Sequence, residues 1–181
     1  ALLLMGSYIY GQPQAAVDGV EKSTMVDIIP APVSVHIHAG HFTLRPDTRV
    51  VYNDHQLGEV AGLLTATLNR PTGFHLQAGQ SAAKQTNAIV LIRNIKADPT
   101  IGSEGYRLTV TTTQVRVIAN TDRGVFYGIQ SLLQLMPPQI ESDHVSRTVS
   151  WTITALDILD YPRFEWRGLM VDDDGLGAPL G

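Results

Sequence analysis

The 181-residue chain contains no cysteine. Disulfide bonds and thiolate metal sites are therefore excluded. Basic residues are also few, since 13 lysines and arginines stand against 17 acidic residues and give a formal net charge of −4. Because no basic stripe or cluster occurs, the sequence argues against a nucleic acid as partner.

Long apolar runs are missing as well, and no segment reaches the length of about 20 residues that a membrane-spanning helix needs. The first ten residues form a short apolar run, followed by Pro13 and the small residues Ala15 and Ala16. Two interpretations stay open: the rear part of an export signal without its basic front, or a buried strand or residues added by cloning. An export signal would place the protein in the periplasm, at the cell surface or outside the cell.

Alternating apolar and polar residues predict several β-strands. The alternation is present at 33–38, before a predicted turn at Gly40, and again at 106–110 and 115–117, which form a predicted hairpin. Further strands are predicted at 41–44, 48–52, 88–92, 148–158 and 166–171. Residues 77–87 are rich in Gln, Ala, Ser and Lys and are predicted to form a surface loop.

Two amphipathic helices are predicted between the strands. The first follows Asp54 as capping residue, has apolar residues at helical spacing from Leu57 to Leu68, and ends at Pro71 and Gly73. The second follows Thr121 or Asp122 and carries one apolar stripe, formed by Val125, Phe126, Ile129, Leu132, Leu133 and Met136. This order predicts an α+β fold, a mostly antiparallel sheet with both helices packed on one face.

Two motifs go beyond this general pattern. The first joins the strand Gly105–Leu108 to the stretch Ile118–Leu135, which reads IANTDRGVFYGIQSLLQL; the second is Asp160–Asp172, DYPRFEWRGLMVD. Together, in this order, they resemble the non-catalytic N-terminal domain of glycoside hydrolase family 20 and the junction into its catalytic barrel. The resemblance extends from about Ile28 to Asp172.

The resemblance implies three regions. Residues 1–20 would be a signal-peptide remnant or lead-in, residues 21–160 the N-terminal α+β domain, and residues 161–181 the first strand of a catalytic barrel followed by a tail. A complete (β/α)₈ barrel takes about 250 residues, so the chain is too short to hold one. The family's catalytic Asp-Glu pair lies on that barrel, and Asp172-Asp173-Asp174 is no substitute for it.

The implied function is that of an accessory domain in a β-N-acetylhexosaminidase, a glycosidase that removes terminal N-acetylglucosamine or N-acetylgalactosamine from glycans. The chain would be inactive alone, with the catalytic barrel as its partner and the glycan as substrate of the whole enzyme. Arg167 is the only residue to which the resemblance assigns a functional role, the binding of sugar hydroxyls. A guanidinium suits that role, although pairing with Asp160 or Asp172 is the alternative.

Other candidate sites receive structural interpretations. Gly124 and Gly128 lie one helical turn apart and favour close packing over a phosphate cradle. Tyr127 and Gln130 are expected to form hydrogen bonds at the edge of the helix–sheet interface. His36, His38 and His41 cluster, but a metal site usually needs four ligands, so we expect neither a metal nor a cofactor.

Two further hypotheses stay open. The chain could serve as a stand-alone module that binds a glycan or a protein partner. Alternatively, a barrel strand without its barrel would expose Leu169, Met170 and Val171 and favour a dimer through this C-terminal strand.

Overall fold

A computed structural model describes residues 26–81, 83 and 85–164, which form one sheet and two α-helices. The seven strands are β1 (Ser34–Thr43), β2 (Arg49–Tyr52), β3 (Ala78–Gln80), β4 (Ala88–Arg93), β5 (Tyr106–Val110), β6 (Gln114–Ala119) and β7 (Thr152–Asp160). The helices are α1 (Gly58–Thr72) and α2 (Asp122–Gln134), and short 3₁₀ turns lie at His55–Leu57 and Pro138–Glu141.

The strands lie in the order β1-β7-β5-β6-β4-β2-β3. The half that contains β1, β7, β5 and β6 is antiparallel, whereas β6–β4, β4–β2 and β2–β3 pair in parallel. The predicted α+β class and the β5–β6 hairpin are confirmed, but the expectation of a mostly antiparallel sheet is corrected to a mixed sheet. The β2–β3 pair is parallel because α1 returns the chain from the end of β2 to the start of β3, and such a crossover makes parallel neighbours.

Both helices pack on one face of the sheet, as predicted. Helix α1 buries Ala61, Leu64 and Leu68, and α2 buries Val125, Ile129 and Leu132, all with at most 1% of their surface exposed. They cover a row of sheet side chains that are equally inaccessible, formed by Val50, Ile89, Leu91, Leu108, Val110, Val115 and Val117. Burial of apolar surface stabilises a fold by about 25 cal/mol per Å², and the apolar contact between helices and sheet is what holds the two layers together.

Side-chain caps lie at or just before both helix starts. The Asp54 carboxylate accepts a hydrogen bond from the Gln56 amide at 3.0 Å and caps the 3₁₀ turn His55–Leu57, which leads directly into α1. The Thr121 hydroxyl accepts one from the Gly124 amide at 3.1 Å and caps α2 itself. Both predicted N-termini are therefore confirmed within one turn. At its other end α1 includes Pro71 in its last turn and stops at Gly73, whose φ of 68° is left-handed. Such a conformation suits glycine.

Two strands differ from the sequence-based expectation. Residues 34–43 form a single strand, not two strands around a turn, because the pairing register with β7 shifts between Ile37 and His41. Gly40, with φ 96°, lies in this bulge and replaces the predicted turn. Strand β3 occupies part of the predicted surface loop and pairs with β2 at the edge of the sheet.

The connection between β4 and β5 is organised by side chains of Asp98 and Asn120. The Asn120 amide group donates to the carbonyl oxygens of Asp98 and Gly102, and its oxygen accepts from the Asp98 amide. The Asp98 carboxylate also accepts two hydrogen bonds from Arg107, at 3.0 and 3.1 Å. The pKa of Asp98 lies below its usual value. The main cause is the hydrogen bond from the Thr100 amide, and the second is the hydrogen bonding from Arg107.

Several sequence-based expectations lie outside the described residues. These are the lead-in at 1–20, Arg167, the strand residues Leu169–Val171 with the dimer built on them, and the acidic run Asp172–Asp174. Neither helix that the structure describes has the length and apolar character needed to cross a bilayer.

The glycine contacts of α2 lead to a first prediction. A Cβ atom at Gly128 would lie 2.4 Å from Val117 Cγ1 and 3.1 Å from the Tyr106 ring. We predict that Gly128→Ala lowers the free energy of unfolding by about 1–3 kcal/mol, because overpacking forces the helix away from the sheet. The matched control is Gly62→Ala in α1, where a Cβ meets nothing within 4 Å and should stabilise by about 0.4–1 kcal/mol. Urea unfolding measures both, and equal changes would contradict the packing argument.

The lowered pKa of Asp98 leads to a pH prediction. An acid whose pKa is lower in the folded than in the unfolded state stabilises the fold above its unfolded pKa of about 4 and loses that contribution as the pH falls. Asp98→Asn should therefore be less stable than the parent at neutral pH, with a difference that closes below about pH 4. Asp47→Asn serves as control, since its carboxylate is 75% exposed. Urea titrations across pH that show a constant gap for Asp98→Asn would refute this assignment.

Candidate functional site

The three histidines singled out from the sequence do not form a metal centre in the described chain. His36 and His38 lie on β1, and His38 Nε2 contacts the Asp157 carboxylate at 2.7 Å. No group of three or more His, Asp or Glu side chains in the described residues could hold an ion. Burial raises the pKa of Asp157, but hydrogen bonds from Thr109 and His38 outweigh it and lower the pKa. His38 and Asp157 thus form a hydrogen-bonded pair on the helix-free face of the sheet.

A groove between the two helices is the first candidate for a functional surface. Its apolar walls are Ile29, Leu63, Phe126 and Leu133, and its volume is about 590 Å³. Leu63 lies on the outer side of α1 with 49% of its surface exposed, and Ile29 is 82% exposed. We call this surface the helix groove.

A second cavity lies where the chain leaves the sheet after β7, and we call it the exit pocket. It measures about 480 Å³ and is lined by the aromatic rings of Tyr127, Tyr161 and Phe164, with Phe164 73% exposed. The side chains of Ile29, Gln130 and Gln134 line both the exit pocket and the helix groove. The two cavities therefore form one continuous surface on the helical side of the domain.

Exposed apolar side chains concentrate on this surface. Among the described residues, four of seven large apolar side chains with substantial exposure belong to it, namely Ile29, Leu63, Tyr127 and Phe164. The helix-free face of the sheet instead carries Arg107, Arg116 and Asp157 in its central strands. An antiparallel sheet can leave such a polar face in water, whereas a contiguous apolar patch marks an interaction site.

Two carboxylates line the exit pocket, and a pair of carboxylates is what most glycosidases use for catalysis. Here both carboxylates are committed to structural bonds. Glu104 forms an ion pair with Arg123 at 3.0 Å. Asp160 accepts hydrogen bonds from the Val33 amide and the Tyr106 hydroxyl, each at 3.3 Å. The pocket therefore does not present an acid and a base to a substrate.

A buried hydrogen-bond chain lies behind the exit pocket. The Tyr106 hydroxyl donates to Asp160, and the Ser131 hydroxyl on α2 lies 2.5 Å from the Tyr106 oxygen. Because the phenolic proton is directed to the carboxylate, Ser131 is the donor to Tyr106. Burial raises the pKa of Tyr106 well above its usual range, so the phenol stays protonated. Burial also raises the pKa of Asp160, and the Val33 and Tyr161 amides only partly offset this effect.

Glycines bring three elements together around Tyr106. A Cβ atom at Gly105 would lie 2.7 Å from the Asp160 carbonyl oxygen, and one at Gly124 would lie 2.7 Å from the Gly105 carbonyl oxygen. The Tyr106 ring fills the space that Gly128 leaves open. The close-packing interpretation of Gly124 and Gly128 is thereby confirmed, since a Cβ atom would collide with the Gly105 backbone at the first position and with the Val117 side chain at the second.

The expected role of Tyr127 and Gln130 needs correction. Tyr127 is 37% exposed and points outward with its ring edge-on to Phe126 at a centroid distance of 5.9 Å. Both side chains line the exit pocket, not the helix–sheet interface. The interface position belongs to Tyr106 and Ser131, which the sequence analysis did not single out. One signal for Tyr106 was present in the sequence. It directly follows Gly105 and takes a core-side position in the alternating strand, and a buried tyrosine usually has a hydrogen-bond partner.

The model for glycosyl hydrolase family 20, domain 2, matches residues 25–161. The chain is 29% identical over 147 residues to a β-hexosaminidase of Porphyromonas gingivalis, covering 81% of the chain and 18% of that protein. It is 31% identical over 130 residues to a lacto-N-biosidase of Bifidobacterium bifidum, covering 71% of the chain and 10% of that protein.

A solved structure gives the same result. The family 20 β-N-acetylhexosaminidase of Streptomyces coelicolor A3(2) superposes with a TM-score of 0.70 at 30% identity, over 77% of this chain and 27% of that one. The chain thus spans at most about a quarter of these three proteins. Because the family model covers most of its length, the chain belongs to glycosyl hydrolase family 20, within which it comprises domain 2.

Proposed function

We propose that this chain is the accessory domain of a β-N-acetylhexosaminidase and is inactive without the catalytic domain. The whole enzyme would remove terminal N-acetylglucosamine or N-acetylgalactosamine from glycans. The observation that carries the proposal is the match of residues 25–161 to domain 2 of the family, together with the share of 18% that the chain covers in the P. gingivalis β-hexosaminidase. The engagement of Glu104 and Asp160 in structural bonds supports the lack of activity.

The helix groove and the exit pocket are the surface through which the domain would dock on the catalytic domain. Their continuity with the chain leaving at Phe164 supports this assignment, because the polypeptide that follows is tethered beside them. Their exposed apolar side chains support it further, because a partner would remove this area from water.

Substrate contact would come from outside the described residues. Arg167 is proposed to bind sugar hydroxyls, since a guanidinium offers a fixed fork of donors. The linkage is left open by the relatives themselves, because one is named a β-hexosaminidase and another a lacto-N-biosidase. We also propose export to the periplasm, the cell surface or the medium, supported by the apolar residues 1–10 and the small residues after them.

The lack of activity is directly testable. We predict that the purified chain does not turn over 4-nitrophenyl N-acetyl-β-glucosaminide above the buffer rate, whereas the polypeptide that carries this domain with its catalytic domain does. Glu104→Gln and Asp160→Asn are the controls on the chain alone. Turnover by the chain that either substitution abolishes would place an active site in the exit pocket and refute the proposal.

The purified chain also allows a test of the second candidate function, that of a stand-alone glycan-binding module. We expect no shifts when chitooligosaccharides are titrated into the chain and followed by NMR. Saturable shifts at Tyr127 and Phe164 would instead favour glycan binding in the exit pocket, whose aromatic rings are the type of surface that sugars stack on.

The docking surface gives a further prediction. Leu63→Lys should change the free energy of unfolding of the isolated chain by no more than about 0.5 kcal/mol, because Leu63 is half exposed and both residues favour helix. In the polypeptide that includes the catalytic domain, the same change should cost about 1.5–3 kcal/mol, the value of a fully buried leucine.

The matched control for docking is Ile95→Lys. Ile95 is fully exposed and lies between β4 and β5, away from the helix groove. It should have a negligible effect in both polypeptides, as measured by thermal and urea unfolding. If Leu63→Lys were equally harmless in the longer polypeptide, the helix groove would not be the docking surface.

A further inference from the structure

A short stretch before β1 crosses the end of α2 between the helix groove and the exit pocket. We call residues 26–33 the entry segment, since β1 begins at Ser34. The residues from Ile28 to Ala31 line the exit pocket, and Ile29 also lines the helix groove. The entry segment therefore lies where the two cavities join.

Neighbouring side chains of the entry segment point in opposite directions. Ile28 belongs to the hydrophobic core and is only 5% exposed, whereas Ile29 is 82% exposed. Val26 also packs against the core, and its carbonyl oxygen accepts a hydrogen bond from the Ile28 amide at 2.9 Å. Because Ile28 already fills the inward position, the segment cannot turn Ile29 into the core without exposing Ile28.

The side chain of Gln134, the last residue of α2, fixes the backbone of Ile29. Its Oε1 atom accepts a hydrogen bond from the Ile29 amide at 2.9 Å, and its Nε2 atom donates one to the Ile29 carbonyl oxygen at 3.3 Å. A carboxamide bound in this way satisfies both backbone groups of one residue, as a neighbouring antiparallel strand would. Gln134 lies in the first sequence motif, and this contact gives it a structural role.

We propose that Ile29 is the apolar anchor through which the domain docks on the catalytic domain, and that Gln134 is a positioning residue that holds this anchor outward. The inference rests on the proposed function, and the occupant is an apolar recess on the catalytic domain of the same polypeptide. An anchor that is fixed before contact loses little conformational freedom on docking, so more of its burial contributes to affinity. The position of Ile29 where the cavities join agrees with this role, since the residues that dominate an interface cluster near its centre.

The catalytic domain is the occupant that the chain itself indicates. The chain covers only 18% of the P. gingivalis β-hexosaminidase, and its described residues end at Phe164 on the wall of the exit pocket. A polypeptide that continues from this wall is held at a high effective concentration beside Ile29. A separate protein would lack this advantage.

The first measurement uses the isolated chain and concerns the contact with Gln134. Gln134→Leu removes both hydrogen bonds but keeps a good helix former at the end of α2. We expect the Ile29 amide to exchange with solvent about tenfold faster than in the parent chain, because it loses its acceptor. The Val33 amide, bound to Asp160, is the internal reference. The control variant is Gln77→Leu, since this exposed glutamine precedes β3 and lines neither cavity. Unchanged exchange at Ile29 in Gln134→Leu would overturn the positioning role.

The second measurement compares two exposed isoleucines by hydroxyl-radical oxidation. In the polypeptide that carries the catalytic domain, Ile29 should be oxidised about tenfold more slowly than in the isolated chain, because the surroundings of an interface anchor exclude water. Ile95 is fully exposed on the connection between β4 and β5 and should be oxidised equally in both. Equal oxidation of Ile29 in the two polypeptides would overturn the anchor.

A pair of substitutions tests whether Gln134 acts through Ile29. In the longer polypeptide, Ile29→Ser should raise the oxidation of Leu63 in the helix groove about tenfold, because the burial of one isoleucine is lost from docking. Gln134→Leu should raise it by a smaller factor, and should add nothing in the Ile29→Ser background. Ile95→Ser is the matched control and should leave the oxidation of Leu63 unchanged. Increases that multiply in the double variant would show that Gln134 does not act through Ile29.

A folding control accompanies these variants. Because Ile29 is exposed in the isolated chain, Ile29→Ser should leave the urea midpoint of that chain unchanged. An Ile29→Ser chain that unfolds at lower urea would assign the residue to the stability of the domain and overturn its role in docking.

Failure of the anchor and failure of the proposed function give different results. If the longer polypeptide does not hydrolyse the aryl glucosaminide but protects Ile29, the proposed function fails and the anchor stands. If the longer polypeptide is active while Ile29 is oxidised as fast as in the isolated chain, the proposed function stands and the anchor is overturned.

Discussion

The close approach of α2 to the start of β5, and of that start to the end of β7, is the constraint on which the rest of the structure depends. Gly105 and Gly124 lack the side chains that would keep these backbones apart, and Gly128 leaves room for the side chains of Val117 and Tyr106. The Tyr106 hydroxyl joins the elements through its hydrogen bonds to Ser131 and Asp160. With α2 held in this way, its apolar stripe is fixed over β5, β6 and β4.

This constraint divides the domain into two surfaces of different character. The apolar residues on the inner sides of both helices are buried in the core, while the outer sides carry Leu63, Phe126 and Tyr127. The opposite face of the sheet presents polar side chains with partners, such as Arg107 with Asp98 and His38 with Asp157. A domain that functioned alone in water would have little reason to expose apolar groups on one side only. An accessory domain that meets a larger partner through that side would have this distribution.

Local sequence signals predicted the elements whose contacts are close in the chain. The period of α2, its Thr121 cap and the β5–β6 hairpin follow from residues within a few positions of each other. The parallel half of the sheet could not be predicted this way, because β5 separates β4 from β6 in the chain although these two strands are neighbours in the sheet. Strand β3, with three residues Ala78–Gln80, is too short and polar to show alternation, and its register comes from β2.

In the candidate site too, the features that depend on local sequence could be predicted and those that depend on tertiary contacts could not. The motifs identified the family and correctly assigned Gly124 and Gly128 to close packing, because small residues one turn apart have a direct steric meaning. They did not reveal that Tyr106 and Ser131, rather than Tyr127 and Gln130, form the buried hydrogen bonds. That distinction depends on which side of α2 faces β5, and the tertiary contacts at Gly128 decide it.

Side-chain footprinting with hydroxyl radicals tests the central claim most directly. The account predicts that Leu63, Phe126 and Tyr127 are oxidised in the isolated chain but protected in the polypeptide that includes the catalytic domain, while Ile95 is oxidised equally in both. Equal oxidation of the helix groove in the two polypeptides would contradict the claim that this face exists to hold a catalytic domain.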